Sequence, residues 1–258
     1  MSLEYNIHSN ITNEYHDPFD KECENIDIIN FRKNKWLSYI VQNCSKESGE
    51  KQLHYLLENH KDIMDKLDYN FLHKLDSVGG YNTELINGLT PKVFSYIREA
   101  IIFIEYYLIL KNITEIDKLL IIGGGYGLEA AIIYHICSIL NIKINKIIGV
   151  DMPNVAKLQN EYFKIVDMDT ICESYSTVDY SEKVDIVYSN CCLAELTCDI
   201  NYIYYNKYCL TSKGFYMVWG LWAADIPEYY VPYIVNGKHH EKINYGLSNK
   251  NTNAIIVK

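Results

Sequence analysis

Several features that would assign the chain to a familiar class of protein are missing from its sequence. The 258 residues contain no run of Lys or Arg and their formal net charge is −9, so a nucleic-acid partner is not expected. No apolar stretch is long enough to cross a bilayer without charges, and the N-terminal MSLEYNIHSN has no basic flank before an apolar run. These absences predict a cytoplasmic protein with no membrane partner.

Cysteine is plentiful, but the spacing of metal-binding and redox motifs is absent. None of the eight cysteines forms a C-x-x-C pair, and several lie within apolar segments. Free cysteine is often buried as a small apolar side chain. We therefore expect reduced, buried thiols and no metal site.

The chain divides into three regions of different pattern. Its hydrophobic fraction of 48% is enough to bury one large core, so one main domain is expected. Residues 1–34 are polar and without periodicity, which indicates an extended or partly ordered arm. Apolar residues at helical spacing follow over 35–112, interrupted by a loop rich in glycine and asparagine at 78–91. We expect this helical extension to form a substrate-binding lid over the main domain, 113–258.

From residue 113 onward, short apolar runs alternate with helical segments. This alternation predicts a doubly wound α/β sheet, and the continuous apolar runs are typical of parallel strands covered on both faces. The last two segments predict an antiparallel terminal hairpin. The seven predicted strands are KLLIIG (118–123), NKIIGVD (145–151), TICESY (170–175), KVDIVYSN (183–190), GFYMVWGLW (214–222), HHEKINYG (239–246) and TNAIIVK (252–258).

A glycine-rich loop follows the first predicted strand, in LLIIGGGYGLEAAIIYHI (119–136). In an open parallel sheet, ligands bind beyond the carboxyl ends of the strands where the strand order reverses, and glycine lets the main chain approach a ligand closely. Gly123, Gly125 and Gly127 give G-x-G-x-G, whereas a dinucleotide loop is G-x-G-x-x-G and would need glycine in place of Leu128. The spacing suits S-adenosylmethionine, which has no phosphate, and leaves a nucleotide or a purely structural turn as alternatives.

Asp151 ends the second predicted strand, 24 residues after Gly127. A carboxylate at this point can accept both hydrogen bonds from a ribose 2′,3′-diol. The alternative is that Asp151 caps the helix that begins near Pro153. Because Asp151 stands beside the glycine loop, we favour the ribose role.

Three segments resemble the sugar O-methyltransferase family: IIGGGYGLEAAI, VDMPNVAKLQNEYF, and VYSNCCLAEL followed by YNKYCL. The resemblance covers residues 78–258. It implies a Rossmann-like class I methyltransferase fold, here with an N-terminal helical extension, that passes a methyl group from S-adenosylmethionine to a hydroxyl of a sugar or nucleotide sugar. The residues that we expect to contact the cofactor are Gly123, Gly124, Gly125, Tyr126, Gly127, Asp151, Met152, Ser189 and Asn190.

One position departs from the family pattern. Members carry Glu or Asp two residues before the first glycine, where the acid helps to hold the methionine ammonium group, and this chain has Ile121. Two alternatives to the methyltransferase stay open. One is a methyltransferase-like binding subunit without catalysis, for which Ile121 is the reason, and the other is an NAD-dependent oxidoreductase.

A hydroxyl acceptor is too weak an acid to ionise near neutral pH, so methyl transfer to it needs a base. Glu195 follows the fourth predicted strand, from which its carboxylate can reach the cleft as a base or hydrogen-bond acceptor. Its alternative role is to stabilise a helix N-terminus. His239, with His240 beside it, stands where the sixth strand should begin, and histidine titrates in the range that a general base needs. The oligomeric state stays open, and a homo-oligomer is compatible with the sequence.

Overall fold

The computed structural model contains one mixed β-sheet. Its strand order is β3-β2-β1-β4-β5-β6, with β1 to β5 parallel and β6 antiparallel to β5. The direction in which strands are added reverses between β1 and β4, which places a topological switch point there. The strands are β1 Glu115–Ile122, β2 Lys143–Asp151, β3 Cys172–Ser176, β4 Ile186–Asn190, β5 Gly214–Gly220 and β6 Asn253–Val257. The structure describes residues 20–34, 37–38, 44–176, 180–220, 227–233 and 253–258.

This sheet confirms the predicted α/β architecture. Its last strand pairs antiparallel with β5, and the terminal hairpin predicted between 239–246 and 252–258 lies largely outside the described residues. The described residues form six strands rather than seven, because the predicted strand over 239–246 lies outside them. β4 begins at Ile186, three residues later than predicted. The reason is that the Asp185 carboxylate accepts hydrogen bonds from the backbone N–H groups of Asp117 (2.6 Å) and Lys118 (3.2 Å), so regular pairing with β1 starts beyond it.

Helices lie on both faces of the sheet, and four of them begin at a capping side chain or a proline. Ser45 and Asp68 accept hydrogen bonds from the first turns of their helices, and Pro91 and Pro153 occupy first-turn positions. No helix in the described ranges is both long enough and apolar enough to cross a membrane. The helices are α1 Lys46–Asn59, α2 Lys61–Met64, α3 Tyr69–Ser77, α4 Pro91–Phe103 with a π-helical end Ile104–Ile109, α5 Leu128–Ile139, α6 Pro153–Ile165, α7 Cys192–Glu195, and α8 Cys198–Tyr204 with a π-helical end Tyr205–Cys209.

The core consists of two layers, one on each face of the sheet. Along β1, Leu119 and Ile121 belong to the layer that contains α4, α5 and α6, whereas Leu120 and Ile122 belong to the layer that contains α8. Successive side chains of a strand point to opposite faces, so a strand covered on both sides is apolar at every position. This arrangement explains the unbroken apolar run that precedes the glycines.

The arm predicted over 1–34 is described from residue 20, and 20–34 form turns and a short 3-10 helix, Phe31–Lys33, that packs against the helical region. Phe31 is buried and Arg32 is 0% exposed. The Arg32 guanidinium forms an ion pair with the Asp76 carboxylate on α3 (3.0 Å) and donates to the Thr90 hydroxyl (3.2 Å). A charge can be buried when it is paired and hydrogen-bonded in this way, and the contacts attach the segment to the loop before α4.

Candidate functional site

The glycine loop lies at the carboxyl end of β1 and leads into α5. Gly123, Gly125 and Gly127 have φ angles of 72°, 59° and 107°, in the left-handed region that favours glycine. A Cβ atom on Gly123 would lie 2.3 Å from the Cys192 side chain, and one on Gly127 would lie 2.8 Å from the Phe163 ring. The loop therefore needs glycine both for the path of its main chain and for the closeness of its neighbours.

Asp151 stands at the end of β2, and a buried glutamine joins it to the glycine loop. The Gln159 amide nitrogen donates to the Asp151 carboxylate (2.9 Å) and to the Gly125 carbonyl (2.7 Å). The Gln159 amide oxygen accepts a hydrogen bond from the Ser174 hydroxyl on β3 (2.5 Å), and the Met152 N–H donates to Asp151 (2.9 Å). Gln159 is 1% exposed, so the network that orients the carboxylate is shielded from water.

Tyr126 fixes the loop from the core side. Its ring is buried and packs edge-on against the rings of Phe31 and Tyr162, with centroids 5.2 Å apart in each case. The Arg32 guanidinium lies 5.3 Å from the Tyr126 ring centroid. Burial raises the pKa of Tyr126 well above its usual value, so its hydroxyl is protonated at neutral pH. The side chain points into the core, and its main chain is the part that belongs to the loop surface.

The carboxyl end of β4 lies next to the loop and carries Ser189 and Asn190. The Ser189 hydroxyl is buried and donates to the Ile122 carbonyl (3.4 Å). The Asn190 side-chain amide donates to Oε1 of Glu129 in the first turn of α5 (2.7 Å), and the Tyr188 hydroxyl donates to the same oxygen (2.9 Å). Glu129 thus connects the helix that follows the loop with the end of β4.

Glu129 is a residue of this site that the sequence analysis missed. Its side chain is 3% exposed, and burial raises its pKa to about 7, although the hydrogen bonds from Asn190 and Tyr188 favour the ionised form. The signal that could have identified it is an acidic residue at the second position of a largely apolar helix, immediately after a glycine loop. Burying a carboxylate costs free energy unless it is paired or hydrogen-bonded, so its presence at that position indicates a functional role.

Two adjacent cysteines lead from β4 into α7. Cys191 has a φ angle of 64°, which is uncommon for a residue with a side chain, and the Cys192 side chain covers Gly123. Burial raises the pKa of the Cys192 thiol, and the charges of Asp151 and Glu195 raise it further. The thiol is therefore protonated at neutral pH.

The N-terminal segment reaches the Asp151 side of the site. The Asp20 carboxylate accepts hydrogen bonds from the Asn154 backbone N–H (2.9 Å) and side-chain amide (3.1 Å), in the first turn of α6. Burial, followed by the charges of Asp20 and Asp151, raises the pKa of the Cys23 thiol to about 12. Sequence reasoning did not place this segment here, because a polar stretch without periodicity carries no signal for such contacts.

Most of the residues predicted for the site lie at one edge of the sheet. The glycine loop, Asp151 and Asn190 follow or end β1, β2 and β4, which are neighbouring parallel strands. Glu195 ends α7, the short helix after β4, and His239 lies outside the described residues. Within the ranges that the structure describes, no three His, Cys, Asp or Glu residues are grouped as metal ligands.

Comparison with known proteins gives partial structural likenesses. No protein-family profile matches the chain, and no curated protein matches it in sequence. Thermoplasma acidophilum protein 1320 aligns over 73% of this chain and 94% of its own length, at 13% identity and a TM-score of 0.42. An O-methyltransferase family 2 protein from Planctomyces limnophilus, in complex with apigenin, aligns over 39% of this chain at 16% identity and a TM-score of 0.32. The alignment spans 30% of that second protein.

A third likeness is to the N-terminal domain of EvdMO1, crystallised in the presence of SAH and D-fucose. It aligns over 61% of this chain and 66% of its own length, at 16% identity and a TM-score of 0.38. Structures that resemble parts of this chain thus include methyltransferases, all at low sequence identity.

We predict that Glu129 makes the protein less stable as the pH rises. The pKa of Glu129 is about 7 in the folded chain against a usual value of 4.5. Between pH 4.5 and pH 7 the folded protein therefore keeps a proton on this side chain that the unfolded chain has released. The stabilisation is complete below the lower value and is lost as the pH passes the higher one, a change of about 3 kcal/mol in the free energy of unfolding. Urea unfolding at a series of pH values should show a smaller loss for Glu129→Gln. The same loss in both proteins would contradict this assignment.

Proposed function

We propose that this protein transfers a methyl group from S-adenosylmethionine to a small-molecule acceptor. The observation that carries the proposal is the network in which Gln159 binds both the Gly125 carbonyl and the Asp151 carboxylate at the ends of β1 and β2. Asp151 offers acceptor oxygens for a ribose diol. The glycine loop offers main chain without side chains for the rest of the nucleoside and its amino-acid arm.

The start of α5 favours S-adenosylmethionine over a dinucleotide. A dinucleotide places its pyrophosphate at the N-terminus of the helix that follows the glycine loop. In this chain the buried Leu128 replaces the third glycine, and Glu129 brings a carboxylate into the first helical turn. A negative charge repels a phosphate and attracts a cation. S-adenosylmethionine has ammonium and sulfonium charges and no phosphate, which fits this charge.

The chain has to align an acceptor oxygen with the methyl group and to take up a proton. When bound, S-adenosylmethionine would supply a methyl group on a positively charged sulfur. The carbon–sulfur bond would break, and the sulfur would keep the electron pair, as the acceptor oxygen takes the methyl group. Glu195 is the base that we propose, because its charge acts on Cys192, whose side chain covers Gly123 of the loop. The acceptor proton passes to the Glu195 carboxylate as the oxygen–carbon bond forms. His239 is the second candidate base.

The acceptor that we propose is a sugar hydroxyl, either free or nucleotide-linked. The proposal rests on the likeness of three segments to sugar O-methyltransferases: the GGGYG loop, the aspartate-x-proline turn and the S-N-x-x-x-x-E segment that begins in the last two residues of β4. We further propose that the helical region 35–112 supplies acceptor contacts. Its α4 packs in the core against the sheet, so the lid that we propose consists of the helices before α4. We also propose that the protein acts in the cytoplasm.

We predict that Asp151→Ala weakens the binding of S-adenosylhomocysteine at least tenfold. The substitution removes the two acceptor oxygens proposed for the ribose diol, and hydrogen bonds to a charged group contribute about 1.5–3 kcal/mol each. Isothermal titration calorimetry measures the affinity, with Asp169→Ala, an exposed aspartate in the turn after α6, as the matched control. Equal affinity in wild type and Asp151→Ala would refute the ribose role, and no binding by wild type would refute the cofactor.

Glu195→Gln should lower kcat by about a hundredfold or more and leave the affinity for S-adenosylhomocysteine unchanged, because it removes a base and not a cofactor contact. Transfer of a labelled methyl group to a panel of sugars and nucleotide sugars measures turnover, with Glu161→Gln, an exposed glutamate on α6, as the control. Full activity in Glu195→Gln would shift the role to His239. Wild-type binding of the cofactor without transfer to any sugar would favour a binding subunit or another acceptor.

A further inference from the structure

The amino-acid arm of S-adenosylmethionine needs an acceptor for its ammonium group, and the position at which similar enzymes carry an acid is apolar here. Ile121 is 1% exposed and its side chain packs within the layer that contains α4, α5 and α6. A Cβ atom on Gly124 would lie 3.3 Å from the Ile121 methyl group. The Ile121 side chain therefore packs against the loop from the core side, and it has no oxygen that could accept a hydrogen bond from an ammonium group. The inference that follows rests on the proposed function.

Glu129 supplies a carboxylate at the start of α5, next to the end of β4. It lies two residues after Gly127, and Oε1 accepts hydrogen bonds from the Asn190 amide (2.7 Å) and the Tyr188 hydroxyl (2.9 Å). These bonds fix the carboxylate between the end of the glycine loop and the carboxyl end of β4. The loop after β1 and the end of β4 form the two sides of the switch point, where a ligand of such a sheet binds.

The charged side chains that act on Glu129 do so in opposite directions. Among the described residues, Lys92 on α4 lowers its pKa and Glu99 on the same helix raises it, so these two charges oppose each other. The Lys92 ammonium lies 4.7 Å from the centroid of the Tyr96 ring. The titratable and charged groups that act on Glu129, or on which it acts, are Lys92, Tyr96 and Glu99 on α4, Tyr188 on β4, Cys191 after β4, and Tyr216 on β5.

We propose that Glu129 binds the ammonium group of the amino-acid arm, in place of the acid that is absent at Ile121. A carboxylate removed from water is stabilised by a cation that hydrogen-bonds to it. Asn190 and Tyr188 then act as positioning residues, because they occupy Oε1 and leave Oε2 for the ligand. Glu195 serves the acceptor and Glu129 serves the cofactor, so the two carboxylates have different tasks.

Binding of a cation by Glu129 makes affinity depend on pH. The pKa of Glu129 is about 7 in the free protein, so the carboxylate is mostly protonated at pH 6 and mostly ionised at pH 7.5. A ligand ammonium group binds the ionised form. The affinity for S-adenosylhomocysteine should therefore rise about fivefold to tenfold over this interval. The affinity for 5′-methylthioadenosine, which has the nucleoside and sulfur but no amino-acid arm, should stay constant.

The experiment compares these two ligands by calorimetry on wild type, Glu129→Gln and the exposed control Glu161→Gln. The glutamine at position 129 keeps an oxygen for Asn190 and Tyr188 but has no charge. We expect Glu129→Gln to bind S-adenosylhomocysteine about tenfold to a hundredfold more weakly at pH 7.5, with no pH dependence, and to bind 5′-methylthioadenosine as wild type does. Glu161→Gln should match wild type with both ligands.

The remaining outcomes overturn the inference in distinguishable ways. Equal weakening of both ligands by Glu129→Gln would mean that Glu129 only shapes the slot, and no weakening of either would mean that it does not contact the ligand. The wild-type pH series tests the inference even if the variant does not fold, because a constant ratio of the two affinities between pH 6 and 7.5 contradicts it. Failure of wild type to bind either ligand would refute the proposed function itself.

Discussion

The hydrogen bonds of the Gln159 side chain determine the geometry of the candidate site. One amide nitrogen binds a carbonyl of the glycine loop and a carboxylate oxygen of Asp151, and the amide oxygen is bound by a hydroxyl of β3. Three neighbouring strands are thereby joined through one buried side chain on α6. This network is shielded from water and orients the Asp151 carboxylate, which is the property that the ribose role we propose for it requires.

The rest of the fold supports the same edge of the sheet. Tyr126 anchors the loop from the core, between the rings of Phe31 and Tyr162. The N-terminal segment that carries Phe31 is itself attached through the buried ion pair of Arg32 with Asp76. Because the segment also contacts the start of α6, changes in these distant residues are expected to alter the position of the loop and of Asp151 together.

The strands and the glycine loop could be predicted from sequence because their causes are local. A strand covered on both faces is apolar at each position, and left-handed φ angles at the loop require glycine. The contacts of Gln159, Glu129 and Arg32 could not be predicted, because each joins residues far apart in the chain that only the folded sheet brings together. The late start of β4 could not be predicted for the same reason, because the Asp185 carboxylate accepts hydrogen bonds from backbone N–H groups of β1, which is distant in the sequence. The predicted base His239 lies outside the described residues.

We propose that the loop, Asp151 and the end of β4 together form a slot for an adenosine joined to an amino acid. A crystal structure of the protein with S-adenosylhomocysteine tests it most directly. We expect both ribose hydroxyls of the ligand to lie within hydrogen-bond distance of the Asp151 carboxylate. The thioether sulfur of the ligand should lie against the glycine loop. A ligand bound elsewhere, or an Asp151 side chain turned away from the ribose, would contradict it.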